Sequence, residues 1–381
     1  MLASHIDTDK YTVTIYDKKK GVGRKFLVAG EGGLNLTFNS SVEDLVLQYS
    51  PSSFMAPFVE QFTQQDLTQW LAQVGVPTFI GSSNRVFPEL GLKPIEVLNK
   101  IVKHLESRGI LFELGTEWTG WNKAGELTFA DKADVSTDCT VFALGGASWK
   151  VTGSDGQWFD IFEKQKVKSV PFKAANCAFG VKWEKNFITT HAGKPLKNIS
   201  LAFKRTKAKG ELVVSEFGLE GNAIYALSEK IQKTLAKEKT ALVHLDLKPN
   251  MTKAQVLTKY NKSKLTKVTD ILKEDLKLDR SSVALLKQFT DKETFMNPDL
   301  LAAAIKSIPI MLTAVDDIDK AISTLGGISL TAVDENLQLK KIPNTYAIGE
   351  MLNWYAPTGG YLLQGCFSMG FALAKHLNEL E

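Results

Sequence analysis

Apolar and polar residues alternate from Tyr11 to Tyr16 (YTVTIY), the period of two that a β-strand requires. A polar, glycine-rich stretch follows, from Gly21 to Thr37. The period then lengthens, and Val42–Tyr49 and Gln64–Val74 repeat apolar residues every three or four positions. Lys93–Arg108 is the clearest amphipathic helix, with Ile95, Leu98, Ile101, Val102 and Leu105 on one face. It leads into the strand-like Ile110–Leu114. Cys139–Leu144 (CTVFAL) is a further apolar run, ending in Gly145-Gly146. Strand, helix and strand in this order predict a parallel sheet.

The pattern changes near Pro171. Cys177–Trp183, Ile199–Phe203 and Leu212–Ser215 are short strand-like runs between turn residues, with no helix between them, which predicts an antiparallel sheet. Tyr225–Glu238, Lys253–Lys262, Lys267–Leu276 and Ser281–Phe289 follow helical spacing, with lysines on their polar faces that read as solvated surface. They suggest a small helical subdomain at about 225–305. Beyond Leu330 the α/β character returns, with a strand at Tyr346–Ile348 and a helix from about Leu362 to Leu377. The expected organisation is a split α/β domain (1–170 and 331–381) carrying an inserted antiparallel β domain (171–330).

A chain of 381 residues with 44% hydrophobic content can bury a core of ordinary size. Its net charge of +4 is small, and no run of five like charges reads as a nucleic-acid arm. Only five basic residues are arginines, among which Arg24 and Arg85 stand out. Cys139, Cys177 and Cys366 are too far apart for a CxxC pair or a zinc site, so no metal is expected. No apolar run is long enough for a signal peptide or a membrane span, and the reading is cytoplasmic, with reduced thiols.

Three segments together resemble the bacterial predicted flavoproteins known as NAD(FAD)-utilising dehydrogenases, of the two-dinucleotide-binding type. They are Gly23–Thr37 (GRKFLVAGEGGLNLT), Ala143–Gly156 (ALGGASWKVTGSDG) and the region Ala321–Gly370, which holds GGISLTAVDENL and GEMLNWYAPTGGYLLQGCFSMG. The resemblance spans essentially the whole chain. It implies a Rossmann-like FAD-binding domain and FAD as cofactor, with NAD(P)H as a possible electron donor. The start departs from the family, whose members open with a strand and a G-x-G-x-x-G turn that brings backbone N–H groups to the pyrophosphate. The sequence therefore reads as truncated before its second strand, with weak FAD retention expected.

The resemblance assigns roles to particular residues. Asp17, directly after YTVTIY, would take the adenosine ribose hydroxyls, or else cap a turn. Arg24 and Lys25 would meet the cofactor phosphates. Gly30, Gly32, Gly33, Asn35 and Thr37 form a loop expected near the flavin, with Asn35 or Thr37 bonding the ring or stabilising the turn. Ala143, Gly145 and Gly146 would pass close to FAD, with Ser148, Trp149 and Asp155 toward the substrate. Gly349 and Glu350 match the motif whose carboxylate meets the ribityl hydroxyls. Thr358, Gly359, Gly360 and Tyr361 open a helix whose positive end would face the flavin N1–C2=O edge.

None of the five histidines (His5, His104, His191, His244, His376) lies in these motifs, and no general acid or base is assigned. The leading expectation is an FAD-dependent oxidoreductase acting on a small molecule, reduced either by a nicotinamide or by an external reductase. A cofactor-free relic or scaffold is the second. A flavin-dependent RNA-modifying enzyme is the third, with the weak charge counting against it.

Overall fold

The computed structural model describes residues 1–29 and 33–380. Gly30 and Gly32 of the expected flavin loop lie outside them. The chain divides into two compact units, Met1–Lys173 with Ile322–Glu381, and Ala174–Ala321.

In the first unit Thr14–Asp17 pairs in parallel with Leu111–Leu114, and Thr140–Phe142 with Thr345–Ala347. The predicted parallel α/β pairing is present, as two separate pairs. The connecting helix Pro94–Ser107 begins where Pro94 needs no N–H bond, and the Glu96 carboxylate accepts from Lys93 N at 2.7 Å. Its apolar face buries Val97 and Leu105. The helix Gln64–Gln73 is opened by a reciprocal cap between Thr63 and Asp66.

The final helix, Tyr361–Glu379, buries Gln364, Ser368, Met369, Ala372, Leu373 and Leu377 at helical spacing. It packs against Leu2–His5 and Ser52–Gln61 at the centre of the unit's core. A small antiparallel sheet joins Thr37–Phe38, Arg85–Pro88 and Thr78–Ile80.

Within the stretch Gly21–Thr37, read as a loop, Arg24–Ala29 is a helix. The segment RKFLVA has no strong helix breaker between its flanking glycines, so one turn and a half forms.

The second unit is a closed barrel of six antiparallel strands. Their order is Phe179–Val181, Gly218–Glu220, Thr206–Val214, Pro195–Phe203, Ala241–Asp246 and Ile308–Val315. Period-two burial builds it: Ile308, Ile310 and Leu312 point inward with Ala241, Val243 and Leu245. Closure leaves the sheet no free edge. Two details differ from the sequence reading. A helix, Lys185–His191, stands between the first strands because Phe187 and His191 are buried. Ala241–Asp246, within the span read as helical, is a barrel strand, and the helices around it share the barrel's core.

Candidate functional site

Asp17 closes the strand Thr14–Asp17, where the carboxylate faces the turn that follows. Its Oδ1 accepts from Lys19 N at 2.8 Å. Oδ2 takes no hydrogen bond among the described residues, which leaves it open to a hydroxyl donor. Burial raises the pKa of this half-buried carboxyl, opposed by the Lys19 N–H and by the charges of Lys18, Lys19 and Arg24.

Lys25, on the first turn of Arg24–Ala29, sends its ammonium into a polar cage. Its Nζ donates to Ser148 Oγ at 3.0 Å, Ser154 Oγ at 3.2 Å and Glu350 Oε2 at 3.0 Å. Those three acceptors match an ammonium's three donors. The other Glu350 oxygen, Oε1, accepts from Thr324 N at 3.1 Å, so both carboxylate oxygens are engaged. Ser148 is fully buried, and the Glu350 side chain is only 10% exposed. Gly146 completes the floor: a Cβ there would stand 2.0 Å from Thr324 Oγ1 and 3.0 Å from Glu350 Oε1. Only glycine lets the strand end Gly145-Gly146 approach Glu350 this closely.

A second ion pair lies nearby in sequence, with Lys18 Nζ 2.6 Å from Asp155 Oδ2. Asp155 is thus turned to a lysine at the strand end, and Ser148 to one on the helix that follows. Trp149 is partly exposed and left-handed, at φ 62°. Cys366 is half-buried, and its thiol is pushed up to about 12, first by burial and then by the Glu350 charge. It is protonated at neutral pH and supplies no thiolate.

The flavin-loop residues divide. Thr37 Oγ1 donates to Gln364 Oε1 at 2.6 Å, and Gln364 Nε2 donates in turn to Phe62 O at 3.0 Å, which ties this strand to the final helix. Asn35 Nδ2 donates to Gly33 O at 3.0 Å, but Asn35 Oδ1 is buried with no partner among the described residues. A buried acceptor left without a donor is costly, so this atom is suited to an N–H or O–H supplied from outside the chain. Gly360 caps the final helix at φ 99°, against the backbone of Thr37, and Tyr361 stacks on Phe38 at 5.0 Å. Gly349 O accepts from Trp354 Nε1 at 2.8 Å. Ala143 is exposed and carries no side-chain chemistry.

The structure therefore brings Lys25, Ser148, Gly146 and Glu350 together, and it joins the loop of Thr37 to the helix opened by Gly360. Sequence reasoning did not single out Ser154 or Thr324. Ser154 lies in the GSDG stretch quoted for the resemblance. Thr324 is an ordinary strand threonine with nothing in its neighbours to mark it. A cavity of about 120 Å³ bounded by Phe58, Asn336, Leu373 and His376 is lined by none of these residues.

The donor set suits FAD. Among the described residues, a strand-end carboxylate has an oxygen without a bond, cations stand beside it, a second carboxylate follows the final strand, and a buried acceptor without a partner precedes the small sheet. Residues 1–376 match the family model described as HI0933-like protein Rossmann domain. The chain belongs to this family. It is a member of a family of FAD-dependent oxidoreductases, with a Rossmann-like FAD-binding domain and an additional antiparallel barrel.

Among relatives of the HI0933-like chain, the 3-dehydro-bile acid delta(4,6)-reductase of Clostridium scindens is 23% identical, covering 96% of this chain and 93% of its own. The ribosomal RNA dihydrouridine synthase of Haemophilus influenzae is 21% identical, covering 97% and 93%. The solved 3-ketosteroid-delta4-(5alpha)-dehydrogenase of Rhodococcus jostii RHA1 aligns with a TM-score of 0.46 at 14% identity, over 98% of this chain and 94% of that one. No described helix is long and apolar enough to cross a membrane.

Proposed function

We propose that this chain uses FAD, held by its first unit, to transfer a hydride to or from a small organic molecule, with NAD(P)H as electron donor. The observation that carries the reading is the meeting of Lys25, Ser148, Ser154 and Glu350. Four polar side chains from three distant segments of the sequence form one cage, in the segments that carry the family resemblance.

In this reading Asp17 Oδ2 accepts from the adenosine ribose, and Arg24, exposed beside it, faces the pyrophosphate. Lys25 keeps Glu350 neutralised, so an anionic cofactor does not meet an uncompensated carboxylate. Glu350 orients the ribityl chain and Asn35 Oδ1 accepts from the ring system. The N–H groups opening Tyr361–Glu379 place a positive end where negative charge develops on reduction. FAD supplies the hydride chemistry when bound, and the protein supplies position and electrostatics.

The test is an anaerobic titration of the FAD-loaded protein with NADPH and NADH. Bleaching of the flavin band by either nicotinamide supports the reading. A flavin that neither reduces, and that only an added reductase bleaches, contradicts the choice of donor. Failure to bind FAD at all contradicts the reading itself. The names of the dihydrouridine synthases favour one second reading, reduction of a base in RNA. Tight RNA binding that weakens steeply with salt would support it.

A further inference from the structure

Arg85 is half-buried, yet its guanidinium makes no ion pair and no hydrogen bond among the described residues. The other arginines without such partners, Arg24, Arg205 and Arg280, are exposed, where water serves them. A partly desolvated guanidinium with no acceptor among the described residues is suited to take one from a ligand.

Its surroundings say what kind. Phe38 stands directly opposite Arg85 in the small sheet, and Phe79 opposite Phe87. Directly paired residues share a face, as do residues two apart in a strand, so Phe38, Arg85, Phe87 and Phe79 lie on one face. Val86 and Thr37, on the other face, are buried in the core. Phe79 stacks on Phe87 at 5.6 Å and Phe38 on Tyr361 at 5.0 Å, so Arg85 stands between two aromatic pairs on this face. Phe79 is 38% exposed, which leaves that end of the face open. The charge of Asp44 also reaches Tyr361, but Asp44 forms no ion pair with Arg85.

The face borders the loops assigned to the flavin. Gly359, which precedes the final helix, has its Cβ direction 3.3 Å from Arg85 Nε, and that of Gly33, beside Asn35, is 3.5 Å from Phe87. A molecule lying here would meet a flavin held by those loops.

We infer that Arg85 is the carboxylate anchor of the substrate: a small molecule with a flat apolar body that lies on the aromatic face and a carboxylate taken by the guanidinium fork. The fork matches a carboxylate through two parallel N–H bonds, and the aromatic rings supply sequence-independent contact area for the body. The inference rests on the FAD-dependent reading and gives it a substrate class.

The test uses FAD-loaded protein and two probes of one shape, cinnamate and cinnamamide, titrated by calorimetry. Cinnamate binds at least about tenfold more tightly, the size of one charge-assisted hydrogen bond. Arg85→Gln removes that preference while the affinity for FAD is unchanged. Arg85→Lys keeps part of it, because an ammonium supplies charge without the fork. Phe79→Ala weakens both probes alike. Equal binding of the two probes, binding of neither, or a preference that survives Arg85→Gln overturns the inference. Loss of FAD affinity in Arg85→Gln also overturns it, since Arg85 would then serve the cofactor. In each of these cases the FAD-dependent reading stands, whereas a protein that never takes up FAD sinks that reading first.

Discussion

Lys25 Nζ lies 3.0 Å from Glu350 Oε2, joining the short helix after the first described strand to the helical turn after the last one. The ammonium is a quarter exposed and the carboxylate almost covered, so neither charge is fully solvated. The two share one hydrogen bond, and Ser148, Ser154 and Thr324 N fill the remaining bonds. Pre-set polar groups of this kind cost little to reorganise when a charged ligand arrives.

Removing one partner strands the other. Glu350→Gln and Lys25→Met are each expected to lower unfolding stability by about 1.5–3 kcal/mol, the range for hydrogen bonds to charged groups. The double variant should lose less than the sum, because both charges leave together. Denaturant unfolding of the four proteins measures the coupling. Strict additivity would mean that the pair contributes nothing as a pair.

Gly146→Ala would drive a methyl group onto Thr324 Oγ1 and against the Glu350 carboxylate. Overpacking of this kind costs about 1–3 kcal/mol. Thr324→Ala in the same chain should recover part of the loss by removing Oγ1, although it also breaks the 3.2 Å bond from Ala147 N. A Gly146→Ala protein that melts with the parent would show that the strand end does not pack against Glu350.

His5 is held among aromatic rings, 5.0 Å from Phe371 and 5.9 Å from Phe62. Burial lowers its pKa below the usual 6.5, and the same cause lowers that of His104. A depressed base stabilises the fold above the unfolded pKa. As pH falls through about 6.5 the unfolded chain takes up protons first, and stability declines until the folded pKa is passed. Stability should therefore rise from pH 5 to pH 7, with a shallower slope in His5→Phe. Identical slopes in the two proteins would remove His5 from the account.

Legibility followed periodicity. Pro94–Ser107 and Tyr361–Glu379 carry apolar residues at steady helical spacing, and their positions were readable within a residue or two. Lys185–His191 was not, because its two consecutive threonines are weak helix formers. What holds it is tertiary: Phe187 is buried in the barrel's core, and His191 Nδ1 lies 2.9 Å from Ser281 Oγ. Ser52–Gln61 carries Pro57 inside it and went unread for the same reason, that local rules give way to packing.

At the site, Lys25 and Glu350 were each singled out, but as separate contacts to a cofactor. Nothing in either segment announces that they meet. That pairing is a property of the folded sheet, as is the role of Ser154 and Thr324, whose residue types recur throughout the chain. Arg85 was visible only as one of few arginines, and its lack of a partner among the described residues is a fact of three dimensions.

The central claim is that the Lys25–Glu350 cage is part of an FAD site, and titration of the protein with FAD, followed by flavin fluorescence, tests it most directly. The account predicts saturable binding by the parent chain. Glu350→Gln, checked to be folded by circular dichroism, should bind more weakly by about ten- to a hundredfold, the equivalent of about 1.5–3 kcal/mol. An unchanged dissociation constant in folded Glu350→Gln would contradict it, as would a parent chain that shows no saturable binding.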